Sequence, residues 1–527
     1  MNTFRYKLLF IIFIFFQTFL LGNAFARENA NGDTIVVAAS AEPSNLIPML
    51  ASDSASHDIS GLIFNGLVKY DTDLTIIGDL AENWDISDDG LVITFHLRKG
   101  VKWHDGVEFT ADDVLFGFNS IIDPKVPSAY KEDYLQVEKC EVIDKYTFRA
   151  IYKKPFASAL SSWGTLVVLP KHLLEGKDLT KCDFSRNPVG LGPFKFEKWI
   201  SGKEIVLSRN DSYFEGRPGI AKFVSKVVLD EATSFLEFKA GNLDWMGLTP
   251  FQYARQTKPE DIKIKFNKYK YPSFSYTYFG FNLNHKWFKD KRVRQAFAYA
   301  IDKQELIDGV LMGLGNIATG PYVPNTWPYN PDVRKYEYNP EKAKSILHDE
   351  GWSDTDGNGV LDKDGSDFEF TLLTNMGNDA RVKAATIVQW RLKQIGVKMN
   401  IRVIEWSTFI NEFIDKRRFE AVMLGWSIGL DPDQYDIWYS AKTGEKELNF
   451  VNFKNNEVDL LLEKGRRAFD INERKKAYFR IQELLAEELP YIFLYVPQSL
   501  PILSARVKGI VPEPIGISYN IDKWYIE

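Results

Sequence analysis

The segment 425–429, Gly-Trp-Ser-Ile-Gly, has the G-x-S-x-G pattern that carries the nucleophilic serine of many hydrolases. Such a serine needs a histidine base, and in hydrolases with this motif the histidine follows the serine along the chain. The last of the six histidines is His348, which precedes Ser427, and Pro432 stands where the helix after the nucleophile should run. We therefore predict no catalytic serine here and no enzyme activity.

One acidic loop has the spacing of oxygen ligands around calcium: Asp354, Asp356, Asn358 and Asp362. Gly359 stands at the sharp turn, but Gly365 occupies the closing position, where a calcium loop has a bidentate glutamate. The histidines do not occur in pairs at the spacing of zinc ligands. We therefore expect a hairpin-like acidic loop, with no resident metal ion and no cofactor, and the sequence leaves open a weakly bound structural calcium ion at Asp354 to Asp362.

Periodic segments throughout the chain would position these residues. Strand-like alternation or β-branched runs occupy 34–39, 91–97, 397–403 and 491–496. Helix signals are a capping box at Thr110 and Asp113, an Asn339-Pro340 start for a helix that stops at Gly351, a helix over 381–395 ended by Gly396, and two helices within 456–489. Strands and helices mix along the whole length without a low-complexity linker, which predicts an α/β protein with compact lobes.

Residues 1–26 have the layout of a signal peptide. Arg5 and Lys7 precede an apolar run over 8–21, and Ala24-Phe25-Ala26 gives the small-x-small cleavage pattern. The run is short for a membrane span of about 20 residues. No cysteine for lipid attachment lies near the cleavage site. We expect cleavage near Ala26 and a free protein in the periplasm.

Net charge and chain length limit the possible partners and the number of lobes. The formal net charge of -6 argues against nucleic acid as a partner, and removal of the two basic residues of segment 1–26 makes the chain more acidic still. About 500 residues exceed what one hydrophobic core organises, so two or three lobes are expected. The sequence leaves open whether Cys140 and Cys182 form a disulfide.

A series of ordered motifs makes the prediction specific. They are GLIFNGL at 61–67, LAENW at 80–84, FHLRKGVKWHDG at 95–106, VGLGPF at 189–194, Asn210 to Phe214 with Gly216-Arg217-Pro218, VRQA at 293–296, and Gly425-Trp426 with Asp431-Pro432-Asp433. Together they resemble the family 5 extracellular solute-binding proteins, which include the oligopeptide- and dipeptide-binding proteins of ABC importers. The likeness covers essentially the whole chain after residue 26.

The resemblance implies a bilobal clamp like that of periplasmic binding proteins, with a ligand enclosed between lobes that close about a hinge. It implies three discontinuous domains: 27–66, 187–270 and 490–527 for domain I, 67–186 for domain II, and 271–489 for domain III. The chain would cross between lobes near 270 and 490. The expected function is that of a monomer that captures short peptides and delivers them to an inner-membrane ABC permease.

The resemblance also implies site residues. Two extended segments would bind the peptide backbone, Ser54-Ala55-Ser56 and Gly425-Trp426-Ser427. Trp426 would supply a flat apolar wall beside the ligand. Asp431 would anchor the α-ammonium group of the peptide, with Asp433 as its competitor for that role, and either acid could instead cap the turn that follows.

Three other functions stay open. An aromatic content of 14% would suit the stacking of an oligosaccharide, and the same clamp could hold a nickel complex. The acidic segment at Asp431 favours a cationic amino terminus over sugar, and the lack of clustered histidines argues against nickel. A periplasmic chaperone that holds unfolded peptide segments is the alternative from a different class.

Overall fold

The computed structural model of this chain describes residues 33–72, 75–164, 168–513 and 516–527. The expected signal peptide, with its cleavage site near Ala26, lies outside these residues. Within them, no helix combines the length and the apolar character needed to cross a membrane.

The strands of the described residues are short to medium in length and are distributed over the whole chain. In chain order they are β1 (Thr34–Ala39), β2 (Val68–Tyr70), β3 (Ile76–Gly78), β4 (Ala81–Ile86), β5 (Val92–Leu97), β6 (Val137–Asp144), β7 (Thr147–Tyr152), β8 (Phe194–Ile200), β9 (Glu204–Arg209), β10 (Lys222–Val227), β11 (Trp245–Gly247), β12 (Phe266–Lys268), β13 (Tyr271–Pro272), β14 (Ser275–Phe281), β15 (Gly315–Ile317), β16 (Asp362–Lys363), β17 (Ser366–Asp367), β18 (Glu369–Asn375), β19 (Lys398–Ile404), β20 (Ala421–Ser427), β21 (Tyr491–Ser499), β22 (Pro501–Ser504), β23 (Val507–Lys508) and β24 (Tyr525–Ile526).

The α-helices lie between these strands. They are α1 (Ser54–Ile63), α2 (Ala111–Ile122), α3 (Lys131–Leu135), α4 (Ala159–Ser162), α5 (Lys171–Leu174), α6 (Glu231–Ala240), α7 (Lys291–Ala300), α8 (Lys303–Gly309), α9 (Pro340–Asp349), α10 (Asp379–Lys393), α11 (Trp406–Thr408), α12 (Tyr435–Trp438), α13 (Asn456–Arg467) and α14 (Ile471–Glu488). The predicted α/β class is confirmed.

Two large sheets divide the described part of the chain into two lobes. The first has the strand order β12-β22-β11-β1-β10-β9-β8, and a separate sheet with the order β4-β5-β7-β6 lies in the same half. The second has the order β13-β21-β14-β20-β18-β19, with β15 also paired to β21. We call residues 33–268 and 501–527 the first lobe, and residues 271–499 the second lobe.

The chain crosses between the lobes twice. One crossing follows β12, as expected near residue 270. The other was expected near 490, but β21 pairs with β14 of the second lobe, so the chain leaves that lobe only between β21 and β22. Long antiparallel pairing within one sheet decides this boundary, and no local sequence signal marks it. The division of the first lobe into domains I and II stays a prediction.

Each lobe has its own aromatic core. In the first lobe Trp163 is fully buried and packs against Phe118 and Phe148, with ring centroids 6.2 and 5.2 Å away. In the second lobe Phe297 is equally buried and lies 5.9 Å from Phe281. Separate cores of this kind let two lobes move as rigid bodies about the crossing segments.

Helix ends follow the local signals in the sequence. Helix α2 begins with the predicted capping box, in which the backbone amide of Thr110 donates to Asp113 at 2.9 Å. Asn339 caps α9 by accepting from the amide of Lys342, also at 2.9 Å. Gly396 follows α10 with φ of 78°, a left-handed conformation that glycine adopts without strain. The predicted pair of helices within 456–489 is confirmed as α13 and α14.

Both cysteines are free thiols, so the disulfide left open by the sequence does not form between Cys140 and Cys182. The acidic loop is ordered by its own carboxylates. Asp354 accepts the amides of Gly357 and Gly359 at 2.8 and 3.0 Å, and strands β16 and β17 form the expected hairpin directly after the loop.

Candidate ligand-binding site

Helix α1 separates two cavities. The larger has a volume of about 740 Å³ and is lined by one face of the helix, which includes Ser54, Ala55 and Asp58. The smaller has a volume of about 480 Å³ and is lined by another face, which includes His57 and Ser60. Both volumes are in the range of sites for small ligands. A single short helix therefore borders both cavities.

The expectation that Ser54-Ala55-Ser56 is extended is wrong, because these residues form the first turn of α1. Asp53 is the cause: its carboxylate accepts the amide of Ser56 at 2.9 Å and the hydroxyl of Ser56 at 2.7 Å, which caps the helix. Ser56 is fully buried by these bonds. Ser54 and Ala55 nevertheless line the larger cavity, so two of the three predicted residues border a possible ligand site.

The smaller cavity lies between the lobes. The first lobe contributes His57, Tyr130 and Ser158, and the second lobe contributes the segment 429–431 and Asp433. The imidazole Nε2 of His57 lies 3.3 Å from the hydroxyl of Tyr130, and burial lowers the pKa of His57, which favours its neutral form. The two predicted anchors, Asp431 and Asp433, are therefore brought to the same interlobe cavity.

Asp431 already has a cationic partner in the protein. Arg474 donates to its two carboxylate oxygens at 3.0 and 3.2 Å. Ser158, from the opposite lobe, donates its hydroxyl to Oδ1 at 2.9 Å, and the amide of Asp433 donates to the same oxygen at 2.9 Å. Oδ2 is the less occupied oxygen, so a ligand ammonium would have to share this carboxylate with Arg474.

Asp433 is more buried than Asp431 and has ionic and hydrogen-bond partners within the protein. Arg466 donates to its Oδ2 at 2.6 Å, and the amide of Tyr435 donates to its Oδ1 at 3.0 Å. Arg466 also pairs with Asp133 of the first lobe. Burial lowers the pKa of Arg466 to about 10, which leaves it charged at neutral pH. Asp433 therefore caps the turn before α12 and belongs to an ion-pair network between the lobes.

The segment Gly425-Trp426-Ser427 is extended, as expected, at the end of β20. On one side it pairs with β14, with Ser427 opposite Ser275. On the other side β18 pairs only with Ala421 and Val422, so within the described residues no strand covers that edge of segment 425–427. An open strand edge of this kind can accept an extended peptide through main-chain hydrogen bonds.

Trp426 is half-buried, and its ring contacts are with the protein. Its indole Nε1 donates to the hydroxyl of Tyr491 at 3.3 Å, and its ring lies 5.8 Å from that of Phe450. Ser427 continues the strand, because the amide of the next residue donates to the carbonyl of Phe274 at 2.8 Å. A nucleophile elbow needs a sharp turn at the serine. The geometry around Ser427 is therefore that of an ordinary strand.

Arg381 is a charged residue that the sequence analysis missed. Its Nη1 donates to the amide oxygen of Asn375 at 2.8 Å, and no carboxylate pairs with it among the described residues. A Cβ atom at Gly425 would lie 2.7 Å from its Nη2, so only glycine leaves room for the guanidinium at this point of the strand. Desolvation lowers the pKa of Arg381. A guanidinium without a carboxylate partner among the described residues thus lies over Gly425 of β20.

The larger cavity is acidic, which the sequence pattern also did not reveal. Asp58, Asp79, Glu215 and Asp522 line it, with Lys69 as the basic residue among its described lining. The second lobe contributes Tyr271 and Ser499, which lie next to the two crossing segments. The only sequence signal was the position of Asp58 on α1, one helical turn after Ser54 on the same face.

These features define a two-lobed binding protein with enclosed interlobe space. A profile of the bacterial extracellular solute-binding proteins, family 5 (Middle), matches residues 75–447. The oligopeptide-binding protein AppA of Bacillus subtilis is 36% identical over 519 residues, which is 96% of this chain and 94% of that protein. The chain belongs to the family 5 extracellular solute-binding proteins. The predicted family and bilobal fold are confirmed.

Solved structures show the same architecture. AppA from Bacillus subtilis in complex with a nonapeptide superimposes with a TM-score of 0.90 at 35% identity, over 94% of this chain and 99% of that one. DppA from Helicobacter pylori in complex with the peptide STSA gives 0.85 at 29%, over 94% and 98%. NikZ from Campylobacter jejuni in complex with Ni(L-His) gives 0.85 at 28%, over 94% and 99%.

Proposed function

We propose that this protein captures short peptides between its lobes and delivers them to an inner-membrane ABC permease. It acts as a monomer and releases its solute chemically unchanged. The observation that carries the proposal is the open edge of β20 over residues 425–427, because the chain continues from this edge directly into the segment that lines the smaller cavity. The peptide complexes of AppA and DppA support the same solute class.

The proposed contacts follow from this geometry. The main chain of Gly425, Trp426 and Ser427 binds the backbone of an extended peptide, and Arg381 beside it attracts a carboxylate of the ligand. Asp431 faces the side of the peptide that enters the smaller cavity. Asp433 holds the cavity wall in place through Arg466 and is not itself a ligand contact. Ser54 and Ala55 border the space for side chains on the far side of α1.

A nickel complex is the second candidate, because NikZ with Ni(L-His) resembles this chain almost as closely as the peptide-bound DppA. Among the described residues only one histidine, His57, lines the smaller cavity, and none lines the larger. A metal complex would therefore have to bring most of its own ligands. The oligosaccharide and chaperone alternatives gain no specific support from the site.

For the location, we propose that the chain is exported and that its signal peptide is removed near Ala26, which leaves a periplasmic protein. The extracellular character of the family supports export. Amino-terminal sequencing of exported protein tests the cleavage site. Recovery of residues 1–26 on membrane-bound protein would contradict it.

Native mass spectrometry of the purified protein tests the solute. We expect a co-purified peptide, or uptake of a peptide from a defined mixture of two to nine residues in length. Incubation with nickel and L-histidine is the parallel arm. A complex with Ni(L-His), together with no bound peptide at any length, would favour the second candidate.

A further inference from the structure

Asp58 is an acidic residue without a partner in the larger cavity. It lies on the face of α1 that lines this cavity, and among the described residues no hydrogen-bond donor or cation contacts its carboxylate. Dense protein surrounds the side chain, yet its surface is accessible to water, because the space in front of it is the cavity. Desolvation, together with the negative charge of Asp53, raises the pKa of Asp58 to about 6.

The other carboxylates of this cavity have partners within the protein. Glu215 pairs with Lys69 at 2.6 Å, and Asp522 pairs with Lys523 at 2.8 Å. Asp79 accepts both of its contacts from the side-chain amide of Asn65, each at 3.0 Å. Lys69, the one basic residue in the described lining, is therefore already paired with Glu215. The cavity carries a negative charge that no group of the protein neutralises.

Asp58 also has no structural task comparable to that of Asp53. Asp53 lies five residues earlier, caps α1 and accepts hydrogen bonds from Ser44, Ser56 and Trp406. Asp58 lies in the middle of the helix, where aspartate is a poor helix former and caps nothing. Because its side chain is accessible to the water of the cavity and has no partner among the described residues, the carboxylate is free to pair with a cationic ligand.

We propose that Asp58 binds a cationic group of the captured peptide in the larger cavity. This inference rests on the proposed peptide-binding function and adds a preference for ligands that place a positive charge on this side of α1. A volume of about 740 Å³ accommodates a large side chain together with water. The cation is either the amino terminus of the peptide or a lysine or arginine side chain, and both present the same ammonium-type chemistry to the carboxylate.

Calorimetry with defined pentapeptides tests the proposal and separates the two sources. The probes are Ala-Ala-Ala-Ala-Ala, Ala-Ala-Lys-Ala-Ala, and the Nα-acetylated forms of both. The wild-type protein is compared with Asp58→Asn, which removes the charge and keeps the shape. The control is Asp522→Asn, because Asp522 lines the same cavity but has its own partner in Lys523. Asp58→Glu restores the charge and guards against an effect of folding alone.

We expect Asp58→Asn to weaken the binding of cationic peptides by about 10-fold or more, with Asp522→Asn close to wild type and Asp58→Glu recovering part of the loss. A loss confined to the lysine peptides assigns the side chain, and a loss that disappears on Nα-acetylation assigns the amino terminus. Acetylated pentaalanine should not distinguish the proteins.

Two results would overturn the inference in different ways. If wild type binds the peptides and Asp58→Asn binds every one of them equally well, the inference is wrong while the proposed function stands. The same holds if Asp522→Asn loses as much affinity as Asp58→Asn. If wild type binds none of the four probes and none of the peptides in the mass-spectrometry mixture, the proposed function fails and the role of Asp58 falls with it.

Discussion

Arg474 donates to both carboxylate oxygens of Asp431, at 3.0 and 3.2 Å, across the wall of the smaller cavity. Both side chains are largely buried, with 12% of Arg474 and 20% of Asp431 exposed. The residue that the family resemblance marks as an ammonium anchor is thus neutralised by a guanidinium of its own lobe. Its hydrogen bond from Ser158 also joins it to the first lobe.

Asp431→Asn should therefore lower the free energy of unfolding by about 1–3 kcal/mol, because it leaves Arg474 without its counter-charge. Urea denaturation measures the loss. The double variant with Arg474→Gln should lose less than the sum of the two single variants, since the partners contact each other. Unchanged stability combined with a large loss of affinity for free-amino peptides, reversed by peptide acetylation, would instead make the ligand ammonium the main partner of Asp431.

Gly425→Ala should destabilise the end of β20. The new Cβ would lie 2.7 Å from Nη2 of Arg381 and 2.8 Å from the carbonyl oxygen of Tyr276. The guanidinium can move, but the backbone of the neighbouring strand cannot, so we expect a loss of about 1–3 kcal/mol and weaker peptide binding.

Gly309→Ala is the control for this change, because its nearest neighbour would be Cδ1 of Ile387 at 3.8 Å and Gly309 lines neither of the two cavities. Thermal denaturation and calorimetry on both variants make the comparison. Equal thermal stability and equal peptide affinity of the two variants would show that a Cβ fits at Gly425. That result would weaken the assignment of the edge of segment 425–427 as the peptide site.

Local signals were enough to predict much of the fold. The capping box at Thr110 and the glycine at 396 define helix ends through contacts within a few residues, and such patterns can be seen in a sequence. The start of α1 was missed although Asp53 supplied the cap, because the family resemblance suggested a strand at 54–56. The strand at 425–427 followed from the same resemblance and is extended as expected.

The charges of the site could not be predicted in this way. Asp431 and Arg474 are 43 positions apart, and Asp433 and Arg466 are 33 apart, so only the folded chain brings each pair together. Whether Asp58 has a partner depends on all the helices and strands that surround the larger cavity. Sequence patterns identify residue types along one element, whereas pairing depends on several elements at once.

Gly377→Ala should hinder closure of the lobes. Gly377 follows β18 in the second lobe, and a Cβ there would lie 2.4 Å from the carbonyl oxygen of Ser40 in the first lobe. The lobe arrangement of this structure would have to open at this contact, which should weaken peptide affinity and give a larger radius of gyration with ligand present. Small-angle scattering with and without peptide measures this.

The control for Gly377 is Gly357→Ala in the acidic loop. Both glycines have positive φ, 82° and 76°, so both substitutions strain the backbone. Apart from its chain neighbours, no atom of the described residues lies within 4 Å of a Cβ at Gly357. Strain alone should therefore affect both variants equally, and only Gly377→Ala should alter closure. Full ligand-induced compaction of Gly377→Ala would show that the lobes close without this contact.

We predict that Glu231 makes closure of the lobes dependent on pH. It lies at the start of α6 in the first lobe, and its carboxylate accepts the amide of Asp379 from the second lobe at 3.3 Å. Burial, and next the negative charge of Asp379, raise the pKa of Glu231 to about 7, and the negative charge of Asp230 adds to this effect. The hydrogen bond from the amide of Asp379 and the positive charge of Lys383 oppose it but are weaker. In the open form, away from Asp379, we expect a pKa nearer the ordinary value for glutamate of about 4.3.

The sign of the effect follows from this difference. A carboxyl group whose pKa is higher in the closed form does not oppose closure below its open-form pKa, and it opposes closure increasingly as the pH rises from there to about 7. At pH 8, Glu231→Gln should therefore bind peptide about 5- to 10-fold more tightly than wild type. This factor is smaller than the full pKa shift would give, because solvent screens the charge.

At pH 4.5 the two proteins should bind alike. Glu260→Gln, an exposed acid of the first lobe, is the control, and calorimetry at the two pH values is the measurement. A constant ratio of affinities between pH 4.5 and 8 would show that Glu231 does not ionise at the lobe contact.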